Sequence, residues 1–125
     1  MIRHILAIDD SAAMREILFA TLTTAGYQVT LAADGEAGLE NALAMPFDLV
    51  LTDQHMPGCT GLDLIASLRG NPAYQATPIL VLTTESGDAF KAAARDAGAT
   101  GWIEKPLDPD MLTELVAALA VPGEV

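Results

Sequence analysis

The sequence predicts an α/β domain in which five strand-helix units share one parallel sheet, and three observations predict it. Five short apolar runs recur along the 125 residues, apolar residues at helical spacing fill the stretches between them, and residues that cap or stop helices stand at the junctions. The runs cover residues 4–8, 27–31, 48–52, 79–83 and 100–104. The first, third and fourth are nearly continuous Ile, Leu, Val and Ala, which suits central strands covered on both faces. The second alternates and suits an edge.

The helices follow in order. Met14, Ile17, Leu18, Thr21 and Leu22 predict a buried stripe on the first, with Asp10 or Ser11 available as its cap and Gly26 as its stop. Asp34-Gly35-Glu36 starts the second, and Thr60 with Asp63 three residues later forms the pattern of a capping box for the third. Phe90, Ala93, Ala94 and Ala97 mark the buried stripe of the fourth, which Gly98 ends. Asp108-Pro109 opens the fifth, because the aspartate accepts from orphan backbone N–H groups and proline at the first position loses no helical bond. Leu112, Leu115, Val116 and Leu119 are its buried stripe. No internal repeat, low-complexity stretch or linker interrupts this pattern, and only residues 121–125 read as a loose tail. One domain over 1–125, with no room for an output domain, is expected.

Composition narrows the function classes. With 51% hydrophobic residues the chain has ample material for one core. A net charge of −11, from 17 acids against 6 bases, argues against nucleic-acid backbones or anionic membranes as direct partners, because both repel it. Cys59 is alone, so no internal disulfide forms and a free thiol in a reducing compartment is expected. The first residues carry no signal-peptide pattern, and no apolar stretch approaches the ~20 residues that span a bilayer. A cytoplasmic protein is expected.

Parallel strands joined by right-handed crossovers place the ligand crevice beyond their carboxyl ends. Asp9, Asp10, Asp53, Thr83 and Lys105 each stand at the end of such a run, so the fold would gather three carboxylates, a hydroxyl and an ammonium at one edge. Hard oxygen ligands suit Mg²⁺ and the amine suits an anion, which together describe a divalent-cation and phosphoryl site. Any one of these residues by itself has an ordinary structural reading as a cap or loop carboxylate. Their convergence is the signal.

Four motifs in order, Ile8-Asp9-Asp10-Ser11, Leu51-Thr52-Asp53-Gln54-His55-Met56-Pro57-Gly58, Leu82-Thr83-Thr84-Glu85 and Glu104-Lys105-Pro106, resemble the receiver domain of two-component response regulators, chiefly the chemotaxis-type single-domain regulators. The resemblance covers essentially the whole chain. It implies a flavodoxin-like, doubly wound sheet in the order 2-1-3-4-5. It further implies that Asp53 is the phosphoacceptor, taking a phosphoryl group from a histidine kinase, with Thr83 and Lys105 completing the catalytic set. Mg²⁺ would be held by Asp10, Asp53 and the His55 backbone carbonyl, with Asp9 acting largely through water. Lys105-Pro106 often carries a cis bond in the family.

Two positions depart from the family's commoner residues. His55, two residues after the phosphoacceptor, either faces solvent or pairs with Glu85; both residues border the site and bear on phosphoryl lifetime. Trp102 stands where a tyrosine or phenylalanine usually turns inward on activation as Thr83 moves, so it either switches with Thr83 or stays a partly buried edge aromatic.

Signalling by protein binding, most simply to a flagellar motor switch, is the function expected. The alternative is a phosphorelay or adaptor receiver that passes its phosphoryl group to a histidine phosphotransfer protein. A monomer, with dimerisation on phosphorylation as an open possibility, is expected. An enzyme with steady turnover is not expected: a haloacid-dehalogenase-type phosphatase needs Asp-x-Asp after the first strand, and this chain has Asp9-Asp10-Ser11 there. A flavin or nucleotide carrier would need a glycine-rich phosphate cradle that the first loop lacks.

Overall fold

The computed structural model describes residues 2–120. Its elements alternate: β1 (His4–Ile8), α1 (Ala12–Thr24), β2 (Gln28–Ala32), α2 (Gly35–Ala44), β3 (Leu49–Asp53), α3 (Gly61–Arg69), a single 3₁₀ turn (Pro72–Tyr74), β4 (Ile79–Thr83), α4 (Asp88–Ala97), β5 (Gly101–Glu104) and α5 (Pro109–Ala120). All five strands are parallel, in the order β2-β1-β3-β4-β5. The expected fold and order are therefore found, and β2 is an edge strand as its alternation suggested. The tail expected at 121–125 lies outside the described residues.

Alternation of side chains along each strand divides the core in two. Leu6, Ile8, Val50, Ile79 and Val81 point to one face and pack with Leu64, Ile65 and Leu68 of α3 and Phe90 and Ala94 of α4. Ile5, Ala7, Leu49, Leu51, Leu80 and Leu82 point to the other and pack with Leu18 and Leu22 of α1 and Leu112 and Val116 of α5. A strand that feeds both cores is covered on both faces, which is why β3 and β4 are buried throughout, their terminal Thr52, Asp53 and Thr83 included. Each fully buried Leu or Ile contributes about 1.5–3 kcal/mol. That sum lets the sheet tolerate two buried carboxylates at its end.

The caps behave as the sequence indicates. Ser11, not Asp10, caps α1, its Oγ accepting from Met14 N at 3.2 Å. Asp34 accepts from Ala37 N at 2.8 Å, Thr60 and Asp63 form the reciprocal box, and Asp108 accepts from Asp110 N at 3.0 Å. Gly26 and Gly98 take φ values of +103° and +102°, where a Cβ would be strained.

Several boundaries differ. β2 and β3 begin and end one residue later than expected, and β5 begins at Gly101. The shift in β3 draws Asp53 into the ladder, opposite Leu82 of β4. Ile17, expected in the buried stripe of α1, is 44% exposed, and Ala93 of α4 is exposed as well. A helix lying on a flat sheet buries only a narrow stripe, so residues at its margin stay in water. The 3₁₀ turn was not foreseen; its Tyr74 is buried and donates its hydroxyl to Ala42 O at 2.6 Å, tying the approach to β4 onto α2.

Candidate functional site

Parallel strands end together, and here the polar residues extend past the same edge. Asp9 and Asp10 follow β1, Asp53 and Thr83 are the last residues of β3 and β4, and Lys105 follows β5. Backbone bonds carry the ladder through this edge: Asp9 N donates to Ala32 O at 3.1 Å, and Lys105 N donates to Thr83 O at 2.8 Å. The Lys105-Pro106 bond is cis.

The structure brings the side chains of Asp9, Asp10, Asp53 and Lys105 together, with Thr83 at the adjoining strand end. Oxygens of Asp9, Asp10 and Asp53 lie within 4.8 Å of one another. Asp9 and Asp53 are buried, whereas Asp10 is exposed. Lys105 Nζ donates to Asp53 Oδ1 at 2.9 Å and stands 3.6 Å from Asp9 Oδ2, too long for a hydrogen bond. Asp9 Oδ1 accepts from Ser11 N at 2.8 Å, but its buried Oδ2 has no hydrogen-bond partner. An orphaned buried carboxylate oxygen beside two more carboxylates costs free energy as it stands and is relieved by a cation. The donor set is oxygen only, which fits Mg²⁺.

Electrostatics follow from this crowding. Burial pushes the Asp9 carboxyl above its ordinary value of 3.8; the Ser11 N–H and Lys105 pull it down, and the charges of Asp53 and Asp10 push it further up. Burial opposes the charge on Lys105, but the hydrogen bond to Asp53 and the charges of Asp9 and Asp53 outweigh it and raise its pKa. A carboxyl raised by folding destabilises the native state when ionised. The penalty is fully present above the raised native value and is gone below 3.8. We therefore expect Asp9→Asn to stabilise the metal-free protein at pH 7 by about 1–3 kcal/mol, and the gain to vanish as the pH falls below 3.8. Urea unfolding in EDTA across that range checks it. Unchanged stability at neutral pH would show that Asp9 carries no such penalty.

Thr83 is fully buried, and its Oγ1 accepts from Glu85 N at 2.8 Å, which leaves its hydroxyl proton to donate. His55 pairs with Glu85: Nε2 lies 3.3 Å from Oε2, although the two side chains remain 58% and 45% exposed. Both expectations for His55 hold in part, since a ring in water can still reach a neighbouring carboxylate. Trp102 of the edge strand β5 is half-buried against the α3–α4 core, and Lys91 Nζ stands 5.7 Å from the centre of its ring. Cys59 is a free, half-buried thiol whose pKa burial raises.

Two residues of the site's support were not singled out in the sequence. Arg15 Nη1 donates to Asp9 O at 2.8 Å, reaching back from α1 to hold the turn that carries both aspartates. Gln54, buried beside Asp53, accepts from Leu62 N at 2.9 Å. A polar residue directly after an apolar strand was the available signal for Gln54; nothing local marks Arg15, whose partner is a backbone oxygen. A cavity of about 430 Å³, bordered by Asp34, Leu39, Pro57, Cys59, Leu64 and Ser67, lies behind the loop after β3 and contains none of the five site residues.

Comparison with known proteins agrees with this geometry. The family model of the response regulator receiver domain matches residues 5–117. A solution structure of a response regulator protein from Burkholderia multivorans is 68% identical, covers 100% of both chains and superposes with a TM-score of 0.85. The chemotaxis protein CheY4 of Vibrio cholerae is 38% identical over 94% of this chain and 98% of that one, with a TM-score of 0.90. Chemotaxis protein CheY1 of Helicobacter pylori is 36% identical over 88% of this chain and 90% of its own length. Transcriptional regulatory protein FixJ of Bradyrhizobium diazoefficiens is 35% identical over 90% of this chain, which spans 54% of that longer protein. Among the described residues no helix is long and apolar enough to cross a membrane. With the family's signature residues assembled at one sheet edge and its model matched across the sheet and helices, the chain belongs to the response regulator receiver domain family.

Proposed function

We propose that this chain is a phosphoryl-accepting response regulator of the cytoplasm, phosphorylated on Asp53 by a histidine kinase and signalling by phosphorylation-dependent binding to another protein, in chemotaxis. The observation that carries the reading is the Lys105 ammonium 2.9 Å from the buried Asp53 carboxylate, beside an Asp9 oxygen with no hydrogen-bond partner. An Asp53 oxygen attacks phosphorus; a P–O bond forms as the P–N bond of the donor phosphohistidine breaks, and the electron pair leaves on the imidazole nitrogen. Its place at the end of a fully buried strand restricts the motion of the attacking carboxylate. Lys105 holds one phosphoryl oxygen, and the free hydroxyl proton of Thr83 donates to another. Asp10, Asp53 and the His55 carbonyl would hold Mg²⁺, with Asp9 acting largely through water, and the ion would neutralise charge on the phosphoryl oxygens.

Turnover is limited to acceptance and loss of one phosphoryl group per chain, so this is a switch and not an enzyme with a free substrate. Movement of Thr83 toward the phosphoryl group vacates space that Trp102 can enter, and α4, β5 and α5 present the change to a partner. His55 and Glu85 govern how water reaches the acyl phosphate. Each single substitution, His55→Ala or Glu85→Ala, is expected to change the dephosphorylation rate severalfold, as followed by loss of radiolabel; unchanged rates in both would remove the pair from that role.

The chemotaxis reading is supported by relatives matched over most of their own length, and its test is binding of a flagellar motor-switch peptide with Mg²⁺ present, with and without beryllofluoride as phosphoryl mimic. Binding strengthened by the mimic is the expected result. A Trp102 fluorescence response without peptide binding keeps the phosphoacceptor and moves the output to a phosphorelay partner. No response in either assay would reject the chemotaxis output and the Trp102 switch.

A further inference from the structure

Gln54 follows the phosphoacceptor and is 8% exposed, yet it is polar at a place where the strand has just run through both cores. Three bonds converge on it. Its N–H donates to Leu82 O at 2.9 Å, its carbonyl accepts from Gly61 N at 3.0 Å, and its Oε1 accepts from Leu62 N at 2.9 Å. The start of α3 is thereby fastened to the end of β3, closing residues 54–60 into a loop whose two ends touch. The fit is close, because a Cβ at Gly61 would lie 2.6 Å from Asp53 O and 3.1 Å from Gln54 Oε1.

Elsewhere the loop is held by side-chain packing, with half-buried Cys59 lying against the core and against Gly35 of α2. Pro57 and Gly58 are exposed, and they border the 430 Å³ cavity. Met56 is the other buried anchor, through a flexible thioether chain that adapts to its surroundings. His55, between the two anchors, is exposed, and its N–H reaches Asp53 Oδ1 at only 3.4 Å.

We propose that Gln54 is a positioning residue for the metal site, its side-chain amide clamping the 54–60 loop so that the His55 carbonyl is held at the place an octahedral ion requires. This rests on the metal reading above and names the residue that makes it selective. Mg²⁺ demands near-ideal octahedral geometry at about 2.0–2.1 Å, whereas Ca²⁺ accepts looser oxygen ligands at about 2.3–2.6 Å. Loosening one ligand therefore penalises Mg²⁺ more than Ca²⁺. A residue that merely supported folding would leave their ratio unchanged.

The test is titration of the wild type, Gln54→Met and Gln54→Glu with MgCl₂ and with CaCl₂, followed by backbone amide shifts. Gln54→Met keeps the volume and loses the acceptor, so its Mg²⁺ Kd is expected to rise about tenfold, the scale for losing a residue that orients a ligand, while its Ca²⁺ Kd stays within about twofold. Gln54→Glu keeps an acceptor for Leu62 N and is expected to bind Mg²⁺ at least as tightly as the wild type. Equal losses for both ions, or no loss for Mg²⁺, overturn the positioning role. Should Gln54→Met not fold, Gln54→Asn, too short to reach Leu62 N, carries the same comparison. A wild type that does not respond to Mg²⁺ at all would instead reject the metal reading itself.

Discussion

Asp53→Asn is expected to reduce covalent phosphorylation by a small phosphoryl donor such as acetyl phosphate to under about one per cent of wild type, because the amide has no anionic oxygen to attack phosphorus. The substitution is nearly isosteric, and Asn retains an oxygen that can accept from Lys105 Nζ, so the fold should survive. Intact-mass measurement after incubation with Mg²⁺ and the donor checks it, with one phosphoryl group on the wild type and none on the variant. Mass retained by Asp53→Asn would move the acceptor to another carboxylate. Asp10, exposed and within 4.8 Å of Asp53, would be the first to examine.

Lys105→Met is expected to have the largest effect on stability. It leaves the buried carboxylates of Asp9 and Asp53 facing one another with no cation between them, a loss of about 3–5 kcal/mol by analogy with other broken buried pairs. The pKa of Lys105 is raised by folding, so its contribution is fully present below the ordinary 10.5 and is lost only as the pH rises through the higher native value. The gap between wild type and variant should therefore be constant from neutral pH to about 10, and should shrink in acid as Asp9 takes up a proton. Saturating Mg²⁺ should restore part of the loss, since a ligand at about 100 times its Kd adds about 2.7 kcal/mol to the native state. Denaturant unfolding in EDTA and in MgCl₂ measures both quantities. A variant as stable as wild type in EDTA would mean that the two carboxylates do not repel at this distance.

Asp9→Asn and Lys105→Met should act in opposite directions on the metal-free fold, although both disturb the same charged cluster. Asp9→Asn removes one of the crowded negative charges, and Lys105→Met removes the only positive charge within salt-bridge range of Asp9 and Asp53 among the described residues. The site stores unfavourable free energy that a bound cation would release. Stability is given up there for function.

How much of this was readable before the structure depends on the range of the interaction. Continuous apolar runs identified β1, β3 and β4 because a strand between two cores is apolar along most of its length, with polar residues left to its end. Capping residues marked the helix starts because a cap acts over three or four residues, and Asp34, Thr60 and Asp108 all proved to make the bonds their positions suggested. The exposure of Ile17 was not readable, since it depends on how far α1 overhangs the sheet.

The site divides in the same way. The sequence by itself determined which residues meet, because five parallel strands have one carboxyl edge and Asp9, Asp10, Asp53, Thr83 and Lys105 all stand on it. Only the tertiary structure decided the state in which they meet: which two aspartates are buried, which oxygen Lys105 takes, and that Asp9 Oδ2 is left without a hydrogen-bond partner. The tether from Gln54 to α3 and the bond from Arg15 to Asp9 O were likewise settled there. Strand ends converge by topology, which a pattern of residue types encodes. Hydrogen bonds and burial depend on distances of a few ångströms between segments remote in the chain, and no local pattern encodes those.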